Sequence, residues 1–212
     1  GERLAADYNG PVMFEQGQLI DGRYEIVSLL GEGGMGEVYR ARRKLLGDEV
    51  AIKVMQRGTR THDALQALRD RFLRESRACA QLRHPHIVSI LDFDLDTDER
   101  PYLVMELLNG PSLRKELSVV GTLDLAAVAH IISSVAGALQ LAHDRGVVHR
   151  DLKPANLVSH RFETGEKIYK VIDFGLANIR DTTTAAEATR TRLTVDREFL
   201  GTITYAPPEQ LR

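Results

Sequence analysis

Apolar and polar positions alternate in the first third of the chain and then change period. Tyr24 to Leu30 reads as a strand, Gly31 to Gly36 as a turn and Glu37 to Ala41 as a second strand. Glu49 to Met55 makes a third, so the spacing predicts an antiparallel meander. Residues 62–82 switch to helical spacing. Leu65, Leu68, Phe72 and Cys79 share one face, with Thr61 or Asp63 as the cap and His84-Pro85 as the stop. Ile87 to Phe93 and Tyr102 to Leu107 are two further strands, and the acidic stretch Asp92 to Glu99 is the hairpin loop between them.

Gly110-Pro111 is the clearest break in the pattern. Beyond it, Ser112 is expected to cap a short helix and Asp124 a long one reaching Arg145, with Gly146 as its stop. The long helix is apolar nearly all round, as a fully buried helix would be. Residues 1–17 are mixed and polar, broken by Asn9-Gly10-Pro11, and read as a flanking tail. Residues 176–200 carry Thr, Ala and Arg without clear period, a long loop of the kind that is usually functional. The division expected is a tail over 1–17, one unit over 18–108 and a second over 109–212.

Composition narrows the class. The 212 residues carry 28 basic and 30 acidic side chains, a net charge of −2, which offers nothing to a nucleic acid or an anionic membrane. Cys79 is the single cysteine, so an internal disulfide or a cysteine-ligated zinc site is excluded and a reducing, cytoplasmic setting is expected. No membrane segment is expected, because no apolar run approaches the roughly 18 residues a spanning helix needs. Gly1 in the first position suggests that the natural start lies upstream.

The chemistry concentrates in residues 149–175. Asp151 and Asp173 sit in short polar strings between apolar runs, and Asn156 follows the first. Polar groups held between buried strands are costly unless something charged binds them. Two carboxylates and an amide suit a hard divalent cation such as magnesium, which takes oxygen ligands and shares them with phosphate. Gly31-x-Gly33-x-x-Gly36 is weaker evidence. It admits a plain turn, but strand-forming residues follow it, which disfavours a dinucleotide fingerprint, and no Gly-Lys-Ser/Thr follows, which disfavours a Walker loop. Lys53 lies in an otherwise apolar strand, either as an edge lysine reaching solvent or as a phosphate ligand. Glu75 on the helix is, by itself, an ordinary surface acid.

Taken together, His149-Arg150-Asp151-Leu152-Lys153-Pro154-Ala155-Asn156 and Asp173-Phe174-Gly175 resemble the catalytic and metal-binding motifs of protein kinases. The glycine turn, Ala51-Ile52-Lys53 and Glu75 fit the same pattern. The glycine string Gly31 to Tyr39 after Leu19 to Tyr24 is similar to bacterial, Hanks-type kinases, and Lys153-Pro154 to the serine/threonine class. The resemblance covers about residues 19–212 and implies an α+β, two-lobed fold. Its N-lobe would be a five-stranded antiparallel sheet with one main helix, and its C-lobe mostly helical and here incomplete.

By the same resemblance Lys53 would hold ATP phosphates while paired with Glu75, and Asp151 would handle the proton of a protein substrate's serine or threonine hydroxyl. Lys153 would neutralise the transferring group, and Asn156 and Asp173 would hold Mg2+. The nucleotide would lie against Leu30, Gly31, Glu32, Gly33, Gly34, Met35, Gly36, Glu37, Val38 and Ala51 on one side and Val158 on the other. Met105 would guard the back, and Glu106 and Leu108 would meet the base edge. Glu209 matches the acid that closes the activation segment, whereas Ile203 and Pro207 depart from the usual residues. Arg150 would pair with a phosphothreonine among Thr182, Thr183, Thr184, Thr189, Thr191 and Thr194. The C-lobe helices missing after Arg212 would leave apolar surface on the 124–145 helix and favour self-association. They also leave open a second reading, a nucleotide-binding regulatory module of kinase fold that is inactive in this form. A small-molecule kinase is a third.

Overall fold

The computed structural model describes residues 14–33, 36–55 and 62–174. The activation segment, including the candidate threonines, Ile203, Pro207 and Glu209, lies outside them, as do Gly34 and Met35.

Among the described residues, six strands form one antiparallel sheet in the order β1-β2-β3-β4-β6-β5. They are β1 (Leu19–Ile20), β2 (Tyr24–Gly33), β3 (Gly36–Arg43), β4 (Glu49–Met55), β5 (Ile90–Leu95) and β6 (Pro101–Glu106). The sheet therefore has six strands rather than the expected five. The extra one is short: Leu19 and Ile20 turn back through Asp21 and Gly22, both at positive φ, and pair with Glu25 and Tyr24. Residues 14–17 precede β1 as loop and turn and are tied to the edge of the sheet. Gly17 N–H donates to Ile26 O at 2.8 Å and Ile26 N–H to Gln18 O at 2.9 Å. The tail read over 1–17 is thus docked from Phe14 onward.

β5 also lies later than the alternation predicted. The charges of Asp92 and Asp94 suggest a loop, yet the strand runs through both, with Phe93 and Leu95 paired to Leu103 and Pro101. The two acids point outward, where Arg23 meets Asp92 at 2.9 Å and Asp94 at 3.4 Å. Ile87 and Val88 leave the sheet and instead bind the far lobe, with Val88 N–H donating to Val171 O at 3.0 Å.

One face of the sheet packs Tyr39, Ile52, Tyr102 and Val104 around a buried core. The other packs Ala51, Leu103 and Met105 against Leu68 and Phe72 of α1 (His62–Ala80). Phe72 is wholly buried, worth about 1.5–3 kcal/mol of burial by itself.

The second unit holds α2 (Leu113–Val120), α3 (Leu125–Asp144) and the antiparallel pair β7 (Leu157–Arg161) and β8 (Lys167–Val171). Both expected caps are made: Ser112 accepts from Lys115 N and Asp124 from Ala127 N at 2.7 Å. α3 ends at Asp144 with Arg145 as its cap, and Gly146 takes the left-handed φ of 72°. α3 is buried along one side only, and its other side carries the exposed apolar surface that the sequence led one to expect. Ile131, Val135, Ala138 and Ala142 form one buried stripe against Cys79, Leu82 and Val171, while Leu125 and Ile132 are 83 % and 62 % exposed. This helix is also, by length and composition, long and apolar enough to cross a membrane, which corrects the reading that no run approaches that length. Its alanines and isoleucines raise the mean hydropathy past the few polar residues between them.

Candidate active site

The site forms where β4 and β6 meet the loop before β7 and the residues after β8. Lys53 projects from β4 and is buried, opposite Leu103 of β6. Its Nζ lies 2.9 Å from Asp173 Oδ2. Asp173 itself has a φ of 63°, a left-handed conformation that costs a non-glycine residue free energy and is held by its surroundings. Glu75, expected as the lysine's partner, lies on α1 with its carboxylate 3.6 Å from Arg74 Nη2. Asp173 is one partner of Lys53, at 2.9 Å.

The catalytic string is built on a buried imidazole. His149 Nδ1 accepts the Asp151 amide at 3.2 Å, so Nε2 carries the hydrogen that goes to Ile172 O at 2.8 Å. Burial holds its pKa below the usual histidine value, outweighing the Ile172 bond and the charges of Asp173 and Asp151, so the ring stays neutral. The ring also meets Phe174 edge-on, with centroids 4.8 Å apart. One neutral histidine therefore joins the loop carrying Asp151 to the segment carrying Asp173. Sequence reasoning gave His149 no role; its place just before Arg150 and Asp151 was the available signal.

Asp151 and Lys153 form an ion pair at 2.9 Å. Asn156 Nδ2 donates to Asp151 O at 2.7 Å and to Asp151 Oδ2 at 3.3 Å. The Asn156 backbone carbonyl accepts from Ile172 N at 3.0 Å, which sets Asn156 beside the Asp173 segment. Pro154 opens the 3-10 turn Pro154–Asn156 that makes this approach possible.

Among the described residues no cluster of three or more His, Cys, Asp or Glu could hold a metal by itself. The donor set fits a different kind of site. One carboxylate, Asp173, and one amide oxygen, from Asn156, suit an ion that completes its shell with phosphate oxygens and water, as magnesium does.

Of the apolar residues expected around a purine, Val38, Ala51, Met105 and Leu108 share one cluster. Ala51 pairs with Met105 across the sheet. Val158 lies on β7, where it bridges to Ser112, and is partly exposed; Leu30 is half-exposed on β2. Gly31, Glu32 and Gly33 end β2 and Gly36 and Glu37 begin β3, so the glycine turn caps a hairpin as its flanking residues predicted. Glu106 has a further role that the sequence did not reveal. Its carboxylate takes Lys170 Nζ at 2.7 Å and 2.9 Å and the Ser89 amide at 2.7 Å. Burial raises its pKa, but the Lys170 and Ser89 bonds together outweigh that and hold it below the usual carboxylate range.

Residues 24–212 match the protein kinase domain family. The chain is 38% identical over 196 residues to the serine/threonine-protein kinase pkn3 of Myxococcus xanthus, covering 92% of this chain and 35% of that protein. It is 40% identical over 204 residues to Pkn1 of the same organism, covering 94% of this chain and 27% of that protein. The chain thus spans about a third or less of the length of these curated relatives. Among solved structures, the kinase domain of Mycobacterium tuberculosis PknI superposes with a TM-score of 0.66 at 32% identity, over 77% of this chain and 63% of that one. The strand sheet with its single helix and the helical second unit are the two lobes of that fold. On its sequence match and on its architecture alike, the chain belongs to the protein kinase domain family.

Proposed function

We propose that this chain is the catalytic part of a bacterial-type serine/threonine protein kinase, which moves the γ-phosphoryl group of ATP to a hydroxyl of a protein substrate in the cytoplasm. The observation that carries it is the linked pair of ion pairs: Lys153 on Asp151 and Lys53 on Asp173, at 2.9 Å each, joined through His149 and Asn156. Phosphoryl transfer needs little covalent help, so residues that position and neutralise charge carry the rate. Asp151 orients the substrate hydroxyl and takes its proton. Lys153, already beside it, stabilises the negative charge spread over the moving group. Lys53 grips phosphate oxygens, and its expected pairing with Glu75 belongs to this reading. Asn156 and Asp173 would hold Mg2+, which supplies further charge neutralisation when bound. Val38, Ala51 and Met105 enclose the purine, with Leu30 and Val158 at its edges and Glu106 and Leu108 at the base. The serine/threonine class is supported by Lys153-Pro154 and by the names of the relatives.

Arg150, exposed and at φ 65°, is the cation proposed to receive a phosphothreonine of the activation segment. Self-association is proposed through the exposed side of α3, carried by Leu125 and Ile132. A second reading is a nucleotide-binding module of the same fold that does not turn over.

Labelled ATP with magnesium and a generic basic protein separates the two. Phosphothreonine or phosphoserine that disappears in both Asp151→Asn and Lys53→Met supports the kinase. Nucleotide binding without transfer supports the module.

A further inference from the structure

Phe14 lies ahead of the first strand and outside every element the activity needs. Its ring meets the edge of Tyr39 at a centroid distance of 5.7 Å and an angle of 88°. The Arg100 guanidinium covers it at 4.6 Å. Arg100 cannot move freely, because Asp96 holds its Nε at 2.7 Å and its amide at 2.8 Å, and both residues are buried. The backbone is fixed too. Phe14 N–H donates to the Tyr39 hydroxyl at 3.0 Å, and Glu15 N–H donates to Gln18 Oε1 at 2.8 Å.

Tyr39 passes this anchorage on. Its hydroxyl accepts from Phe14 and donates to Glu37 Oε2 at 3.2 Å. Glu37 is only 5 % exposed and follows Gly36 directly. In register it faces Glu32 on β2 and Val54 on β4, so it is the root of the glycine-rich hairpin. Side chains alternate along β3. Glu37 and Tyr39 point to the Phe14 side, and Val38 between them joins Ala51 and Met105 on the opposite side. Fixing the first two fixes the height of the third.

We propose that Phe14 is a positioning residue for the nucleotide. Through Tyr39 and Glu37 it holds the root of the glycine hairpin so that Val38 closes on the purine. The proposal rests on the reading of this cleft as the ATP site. It also gives the stretch of chain entering the domain a direct handle on ATP affinity.

The test uses the full chain and four variants: Phe14→Ala, Phe14→Tyr, Tyr39→Phe and the double Phe14→Ala/Tyr39→Phe. Kd is read with a fluorescent ATP analogue, KM and kcat with ATP, and the melting point without nucleotide. Phe14→Ala and Tyr39→Phe should each raise Kd and KM by about fivefold, the low end of ordinary coupling between sites. The change of kcat should stay within about twofold, since the groups that act on the phosphoryl are untouched. The double variant should be no worse than either single, because both break one chain of contacts. Phe14→Tyr, which keeps the ring, should behave as the parent chain. Unchanged Kd in both single variants overturns the proposal, as does a Kd shift that vanishes once the assay is run well below each variant's melting point. Tyr39→Phe decides alone should Phe14→Ala fail to fold. Parent protein that binds no ATP overturns the reading of the cleft itself, a different outcome from binding that the variants leave unaltered.

Discussion

Lys53 Nζ sits 2.9 Å from the carboxylate of Asp173, so the lysine of the sheet and the acid after β8 close the cleft between the lobes in one contact. The pair is largely shielded, with side chains 6 % and 21 % exposed. A methionine at position 53 keeps the apolar stem and removes the charge. Lys53→Met should lower phosphoryl transfer about 10²–10³-fold, the size of effect that follows loss of one preorganised charge contact. It should also abolish the rise in melting temperature that ATP and magnesium give the parent chain. Thermal denaturation with and without nucleotide checks this. A variant still stabilised by ATP would show that Lys53 does not touch the phosphates.

Much of this cleft could be read from the sequence because its groups come in short strings. Asp151, Lys153 and Asn156 are close in the chain, and the turn Pro154–Asn156 alone brings them together. Lys53 and Asp173 could be named individually, but their contact depends on how the two lobes dock. Phe14 was missed for a different reason. It closes the short run Val12-Met13-Phe14, too brief to show the period that marks an element, and only the folded sheet supplies Tyr39 and Arg100 as its partners. The bounds of β5 are not legible from charge, because Asp92 and Asp94 occupy the outward positions of a strand and are paired with Arg23.

Glu106 and Lys170 link β6 to β8 across the lobe boundary, with Lys170 nearly enclosed. Removing the cation leaves a partly buried carboxylate with the Ser89 amide alone. Lys170→Met should cost about 2–3 kcal/mol at neutral pH, measured by urea unfolding. The pH dependence has a definite sign. The Glu106 carboxyl is held below its ordinary value in the folded chain, so its contribution is complete above the unfolded pKa and is lost as pH falls through the lower folded value. Stability of the parent should therefore fall as pH is lowered below the ordinary carboxylate value, and the Lys170→Met variant should lose less on the same descent. Equal slopes would show that Glu106 titrates alike in both.

Cys79 combines burial with a donor role, its thiol lying 3.3 Å from the Phe174 carbonyl oxygen. Burial, with a smaller contribution from the charge of Glu75, pushes its pKa up to about 12. The thiolate is then about one part in 10⁴ at pH 8, and the sulfur is covered as well. Iodoacetamide at pH 8 should leave the native chain unmodified over hours and label it fully within minutes in concentrated urea, as intact mass would show. Rapid labelling of the native chain would mean that the α1–Phe174 contact opens readily.

The glycines of the hairpin separate conformation from space. Gly36 has a φ of 132°, and a Cβ built on it would lie 1.9 Å from Val54 O, a backbone atom that cannot step aside. Gly31 has no positive φ, and a Cβ there would meet nothing within 4 Å. The two therefore answer differently to the same substitution. Gly36→Ala must push β3 away from β4 at the root of the turn and carry Val38 with it. It should cost about 1–3 kcal/mol in stability, the range for a side chain forced into a forbidden conformation, and raise KM for ATP well beyond tenfold. Gly31→Ala should leave the melting point within a degree or two of the parent, because the folded backbone accepts it and the unfolded chain loses entropy. Whatever it does to KM is then a direct measure of how closely a phosphate approaches the backbone at that point. Equal loss of stability in both variants would mean that the hairpin is held by side chains beyond its root and not by the close approach of Gly36 to Val54.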